Sequence, residues 1–182
     1  MTENEFPRWQ TDFASFEESY LRHYVALADT KAAAVFGLSS AIFAYMLSNQ
    51  KFLDLITADW TSERSIVGSI AIAGLVLTAF HSIWVVMPRL PKGAEGIIFF
   101  GAVKNLPSGL AYRQKVAECS ESQLTAARLD HCYTLAQICW SKYVVLRRAI
   151  WIGLSSVILL VFISPSIASA DVVSKNPKSC RS

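Results

Sequence analysis

The sequence lacks the motifs by which enzymes are most easily recognised. It has no His-Glu-x-x-His, Cys-x-x-Cys or Gly-x-Ser-x-Gly pattern and no phosphate-binding glycine loop, so no catalytic residue and no metal site is predicted. Cysteine is also scarce. The topology derived below puts Cys119, Cys132 and Cys139 in the reducing cytoplasm and leaves Cys180 alone outside, so no disulfide framework is expected.

Charge is missing from three long stretches. Ala32 to Leu47, Ile66 to Val86 and Ala149 to Ile163 contain no Asp, Glu, Lys or Arg, in a chain that is 53% hydrophobic. About 20 apolar residues are needed to cross a bilayer. The second stretch has that length, the third reaches it by continuing uncharged to Ala170, and the first must borrow residues up to Gln50. Three transmembrane helices are therefore predicted.

Lys and Arg residues set the orientation of these helices. With the N-terminus and the long connection between the second and third helices inside, 12 basic residues lie inside and 5 outside, as the positive-inside rule requires. The predicted organisation is all-α: a cytoplasmic amphipathic helix at 1–31, transmembrane helices at 32–50, 66–86 and 149–170, a periplasmic loop at 51–65, a cytoplasmic helical sensing module at 87–148 and a periplasmic tail at 171–182.

Two periodic patterns describe the cytoplasmic part. The aromatic residues Phe6, Trp9, Phe13, Phe16 and Tyr20 recur at steps of three and four, which predicts an amphipathic helix. We expect its aromatic side to pack on the cytoplasmic module, and the alternative is a helix lying in the headgroup layer. From about residue 111 to 163 there is no proline, and an apolar stripe predicts one continuous helix that enters the last span.

Two segments could bind an anion. Asp29 and Lys31 stand at the inner end of the first span, where an acidic residue gains nothing from lipid phosphate, so a local ion pair or a ligand site is expected. The second segment sets Phe100 and Gly101 close to Lys104. An aromatic ring can stack on a base, glycine permits close approach of the backbone, and lysine can contact a phosphate. The same residues also occur in ordinary packed turns.

Four features in order resemble the transmembrane effectors of bacterial Pycsar antiphage systems, the PycTM family. They are Ala-Asp-Thr-Lys-Ala at 28–32, Met-Pro-Arg-Leu at 87–90, Phe-Phe-Gly at 99–101 and the long helix that enters the final span. The resemblance implies an effector that is not an enzyme. A cyclase encoded nearby would make cyclic CMP or cyclic UMP, and the effector would then impair the bacterial inner membrane and cause abortive infection.

The resemblance also implies a nucleotide site. Asp29 and Lys31 match the Asp-x-Lys motif of the family, Phe100 and Gly101 match its aromatic-Gly motif, and Tyr112 corresponds to a downstream tyrosine. Phosphate contacts are expected from Lys31, Lys104 or Arg148. Membrane lipid and further copies of the chain are the other expected partners. No nucleic-acid polymer is expected as a partner. The competing interpretation is a scaffold that needs no ligand and recruits a protein through its cytoplasmic helices.

Overall fold

The computed structural model describes residues 7–58, 62–88 and 97–174. These ranges contain six helices and no strand, namely α1 Arg8–Ser48, α2 Gln50–Ala58, α3 Glu63–Val86, α4 Phe100–Lys104, α5 Gly109–Ala117 and α6 Glu121–Ser174. The predicted all-α class is confirmed. Four residues on which the sequence predictions depend lie outside the described ranges, namely Phe6, Arg89, Leu90 and Cys180. Residues 175–182, which form most of the predicted tail, also lie outside them.

Three of the helices are long and apolar enough to cross a membrane: α1, α3 and the part of α6 up to Ile163. The chain divides into two compact units. Unit 1 comprises residues 1–29 and 87–143, and unit 2 comprises residues 30–86 and 144–182. Helices α1 and α6 each pass without interruption from unit 1 into unit 2.

Helix α1 joins the predicted amphipathic helix and the first span into one element. Its 41 residues include no proline, the residue that most strongly interrupts a helix. The buried side of its first half is formed by small or slender residues at intervals of seven, Ala14, Leu21 and Ala28.

The aromatic side of α1 does not pack on unit 1 as the sequence analysis expected. Trp9, Phe13, Phe16 and Tyr20 are between 46% and 65% exposed, whereas Ala14 is completely buried. The physical reason is that small side chains let the backbones of two helices approach closely, and bulky rings on the contact side would hold them apart. The helix does pack on unit 1, but through its small residues and not through its aromatic side.

Helix α6 begins ten residues later than the proline-free stretch suggested. Residues 118–120 separate it from α5, and its first turn is closed by a reciprocal cap. Gln123 N donates to Ser120 Oγ at 3.3 Å, and Ser120 N donates to Gln123 Oε1 at 2.9 Å. This is the capping box Ser-x-x-Gln, which satisfies two backbone donors that would otherwise be unpaired and fixes where the helix starts.

Unit 2 contains a helix in the segment predicted as a periplasmic loop. Phe52 of α2 is 1% exposed and lies in a cluster with Ala71, Leu75 and Leu160. Ser65 Oγ also donates to the carbonyl of Ile56 at 2.9 Å, which ties the end of α2 to the start of α3. Helix α2 is therefore held by apolar packing against α3 and α6.

The close helix contact of unit 2 lies between α3 and α6. A Cβ atom added to Gly74 would overlap Ser156 Oγ, and one added to Gly153 would lie 3.1 Å from Thr78 Cγ2. In α1, the small residues Ala33, Gly37 and Ala41, which are spaced four apart, are exposed, and a Cβ at Gly37 would meet nothing within 4 Å. Glycine therefore allows a close backbone approach at positions 74 and 153 but makes no such contact at position 37.

Candidate functional site

Helices α1 and α6 pair along their lengths in unit 1. Thr11 Oγ1 and the buried Thr125 Oγ1 are 3.2 Å apart, and Cys132 Sγ donates to the carbonyl of Ala14 at 3.6 Å. Residue numbers increase together in these contacts, so the two helices run parallel. These contacts are made by short polar side chains. They lie on the same side of α1 as Ala14, Leu21 and Ala28.

At the end of this pairing, Lys142 Nζ forms an ion pair with Asp29 Oδ1. Lys142 is on α6 and only 5% exposed, whereas the side chain of Asp29 retains 34% of its exposure. An ammonium group removed from water needs a charged partner, because its desolvation costs several kcal/mol. Asp29 supplies that charge. The acidic residue of the Asp-x-Lys motif thus joins the two long helices.

Lys142 is the functional candidate that the sequence analysis missed, since it counted there only as one of the basic residues of the connection. A signal for it was present. Lys142 lies three residues after Cys139 and four before Leu146, both members of the apolar stripe, so a lysine stands on the packed side of the helix. A charged residue at such a position requires a partner.

The aromatic-Gly segment forms a second cluster in unit 1. Ile97 is buried, and its carbonyl accepts a hydrogen bond from Tyr112 Oη at 3.2 Å. The ring of Phe99 lies over Gly101, where an added Cβ would be 2.5 Å from Phe99 Cε1. Tyr112 is thus joined to the segment that leads into α4, in which Gly101 is the second residue. A side chain at position 101 would require the ring of Phe99 to move.

The basic candidates are distributed over both units. Lys104 ends α4 in unit 1 and is exposed, whereas Lys31 and Arg148 belong to unit 2 and are also exposed. Phe100 is the first residue of α4. Exposed cations contact an anionic ligand at low desolvation cost, and of these three Lys104 is the one that shares an element with Gly101.

The cysteines of the pairing face have the properties of packed residues. Burial raises the pKa of the Cys132 thiol, and Glu18 and Glu17 raise it further. Burial also raises the pKa of Cys139, so both thiols stay protonated and unreactive near neutral pH. Within the described ranges, no three His, Cys, Asp or Glu side chains are grouped closely enough to hold a metal ion.

Comparison with known proteins assigns the chain. The family model described as "Pycsar effector protein domain" matches residues 13–168. The chain belongs to this PycTM family. It is also similar to the Pycsar effector protein SaPycTM of Staphylococcus aureus, with 25% identity over 154 residues that cover 84% of this chain and 93% of the relative. No solved structure matches the chain at a significant level.

Membership of the PycTM family confirms the resemblance seen in the sequence. The chain is an antiphage defence effector, and its three apolar helices make it a multi-pass membrane protein. The family is one of non-catalytic effectors, and it implies a partner cyclase that acts through its cyclic nucleotide product. Both the Asp29 ion pair and the Tyr112 cluster lie within the residues that the family model matches.

Proposed function

We propose that this PycTM protein responds to cyclic CMP or cyclic UMP, made by a cyclase encoded nearby, and then impairs the integrity of the bacterial inner membrane. Infected cells would die before phage matures. The observation that carries this proposal is the match of the family model to residues 13–168, which takes in most or all of each of the three helices, within the described ranges, that are long enough to span a membrane.

The proposed orientation has the N-terminus and unit 1 in the cytoplasm. Residues 87–148 carry 9 Lys and Arg against 4 Asp and Glu, and basic connections remain on the cytoplasmic side of bacterial inner membranes. A cytoplasmic unit 1 would meet a nucleotide made in the cytoplasm. The positive charge would also favour an anionic ligand at long range.

The proposed ligand site lies in unit 1. A cyclic mononucleotide carries one negative charge, which Lys104 would meet, while Phe100 would stack on the base and Gly101 would allow the ligand close to the backbone. Tyr112 fixes the position of this segment through its hydrogen bond to Ile97. Lys31 and Arg148, in unit 2, are the other phosphate candidates, and Lys31 is tested separately.

The proposed signal passes along the two long helices. Asp29 and Lys142 join α1 to α6 at the last residues of unit 1, and both helices continue unbroken into unit 2. A nucleotide that binds one arrangement of this pair more tightly shifts the population toward it. Changing the ratio of two states from 1:99 to 99:1 requires a difference in binding free energy of about 5.5 kcal/mol.

Dye release from vesicles tests the proposal. The full chain is reconstituted into vesicles of phosphatidylethanolamine and phosphatidylglycerol that hold a fluorescent dye, and cyclic CMP, cyclic UMP or cyclic AMP is added outside. We expect one cyclic pyrimidine nucleotide to raise the release rate by about tenfold or more, corresponding to a coupling of at least about 1.4 kcal/mol, while cyclic AMP has no effect.

Three variants then locate the ligand site. Lys104→Ala is expected to shift the nucleotide response to higher concentration, because a charge-assisted contact is lost. Lys115→Ala, which also removes an exposed lysine of unit 1, serves as the matched control and should respond like the wild type. Lys31→Ala tests the phosphate candidate in unit 2.

Two outcomes contradict the proposal. Unchanged responses in both Lys104→Ala and Lys31→Ala would exclude the proposed phosphate contacts. Dye release that no cyclic pyrimidine nucleotide alters would favour the scaffold that needs no ligand.

A further inference from the structure

The outer side of α1 is a continuous aromatic surface. Trp9, Phe13, Phe16 and Tyr20 are all exposed, and Phe16 and Tyr20 stack with ring centroids 6.2 Å apart. Monomeric proteins rarely leave a contiguous apolar patch of this kind open to water, and such patches mark binding surfaces. The family assignment and the ligand hypothesis give this surface no role.

Helix α6 extends the surface on the same side. The two helices run parallel and face each other, and successive residues of a helix are rotated by about 100°. The residue that precedes a contact residue on α1 therefore lies on the same side of the helix pair as the residue that follows a contact residue on α6. Phe13 precedes the buried Ala14, and Tyr133 follows the buried Cys132. Tyr133 is 69% exposed, and Trp140, one heptad further along, is 74% exposed.

A ring contact confirms that the two helices share this side. Tyr24 of α1 and Tyr143 of α6 have ring centroids 6.5 Å apart. Of the uncharged positions on the same side of α6, Ala136 lies between the two exposed rings, and Ala126 and Leu129 precede them. The aromatic surface, defined as Trp9, Phe13, Phe16, Tyr20, Tyr24, Tyr133 and Trp140, is therefore wide and mainly apolar, with the carboxylates of Glu17 and Asp130 at its border.

Charged residues separate this surface from the uncharged stretches of the two helices. Tyr20 precedes the first residue of the uncharged stretch of α1 by 12 positions and Trp9 by 23, and Arg22 and Asp29 lie between. Tyr133 precedes the corresponding point of α6 by 16 positions, and Lys142 lies between. Burying these charges in hydrocarbon would be costly, which disfavours lipid as the cover of the surface.

A second copy of the chain fits the surface. Two copies anchored in one bilayer hold their aromatic surfaces at the same level along the membrane normal. The surfaces can therefore meet by diffusion within the plane of the membrane. Seven aromatic side chains at roughly half of 150–250 Å² each supply about 700 Å², close to the 800 Å² that one partner contributes to a standard interface. Aromatic residues without charge are typical of the core of such interfaces.

We propose that the aromatic surface of α1 and α6 is the interface at which two copies of this chain associate in the membrane. The aromatic rings of one copy pack on those of the other, outside the bilayer. The small face of α1, formed by Ala14, Leu21 and Ala28, remains committed to α6 of its own chain. This inference is independent of the nucleotide hypothesis.

Cysteine cross-linking tests the interface in the full chain, reconstituted at high lipid excess with its four native cysteines replaced by serine or alanine. Tyr20→Cys places a thiol on the aromatic surface. Arg22→Cys is the matched control, because Arg22 is also exposed and on the same helix but about 160° around the axis. With a short bismaleimide, we expect cross-linked dimers for Tyr20→Cys and few for Arg22→Cys. Equal cross-linking at the two positions, or none at either, overturns the proposal.

Energy transfer between labelled copies in the same vesicles provides a second measurement. Excess unlabelled wild-type chain should abolish the transfer, and Trp140→Gln should compete about tenfold less well, as expected when a central aromatic is removed. Equal competition by Trp140→Gln would overturn the proposal. A photoreactive group at position 133 separates the occupants further: capture of a second copy supports the proposal, while capture of lipid or of a different protein alone overturns it.

Discussion

The ion pair between Asp29 and Lys142 is predicted to be strongly asymmetric. Asp29→Asn leaves the ammonium group of Lys142 charged and 5% exposed, with its counter-charge gone. Lys142→Met removes the partner of Asp29, but about a third of the Asp29 side chain is exposed to water. The methionine side chain also fills the space of the lysine with apolar atoms. The first substitution should therefore destabilise the chain much more than the second.

The magnitudes follow from burial. Breaking a buried pair costs about 3–5 kcal/mol, and the partial exposure of Asp29 puts Asp29→Asn at the lower end, about 3 kcal/mol. Lys142→Met should cost about 1 kcal/mol or less, because replacement of a buried charge by a packed apolar group is often neutral. The double variant should resemble Lys142→Met alone, which gives a coupling free energy of about 3 kcal/mol in magnitude.

Thermal unfolding of the full chain in nanodiscs, followed by tryptophan fluorescence, measures these differences. For a chain of this size about 1 kcal/mol lowers the midpoint by about 2–4 °C, so Asp29→Asn should lower it by about 6–12 °C. Glu18→Gln, which breaks the exposed ion pair with Arg22, should change it by little. Equal losses in the two single variants, or additive losses in the double variant, would refute the reasoning.

Two further predictions concern packing and ionisation. Gly74→Ala should destabilise unit 2 by about 1–3 kcal/mol, because the new methyl group overlaps Ser156, whereas Gly37→Ala, which meets no atom within 4 Å, should leave the unfolding midpoint unchanged or raise it. Burial raises the pKa of Cys132, so the stability it contributes is complete below the unfolded pKa of about 8.5 and is lost as pH rises through the folded value. Cys132→Ala should flatten the loss of stability measured between pH 8 and 10, and an unchanged slope would exclude this thiol as its source.

The sequence predicted the elements that depend on composition and missed those that depend on packing. Three uncharged stretches suffice to predict three membrane helices, because the cost of burying charge in lipid is large. Helix α2 is only nine residues long, and short helices are marginal without tertiary contacts. Its stability comes from the burial of Phe52 against Ala71 and Leu75, which are distant in the chain.

The start of α6 could have been read from the sequence, because Ser120 and Gln123 have the spacing of a capping box. The absence of proline upstream outweighed that local signal in the prediction. Proline absence permits a helix but does not require one, whereas a cap marks the residue at which the backbone donors are satisfied.

The candidate site was half predictable. Asp29 was identified because a carboxylate at the mouth of a membrane span is costly without a partner. Its partner Lys142 lies 113 residues away, and the register of two parallel helices decides which lysine faces it. That register depends on contacts such as the one between Ala14 and Cys132, which no local pattern encodes.

The two faces of α1 differ in side-chain size because one packs against α6 and the other is exposed. The face toward α6 needs small residues, since Ala14 and Ala28 allow the close approach at which Asp29 can reach Lys142. Large rings are excluded from that face and occupy the outer one. A rearrangement of α1 against α6 would therefore also reorient the aromatic surface, because both faces belong to one unbroken helix. In the proposed dimer, a ligand that alters the pairing of the two helices within one chain necessarily alters its contact with the second copy.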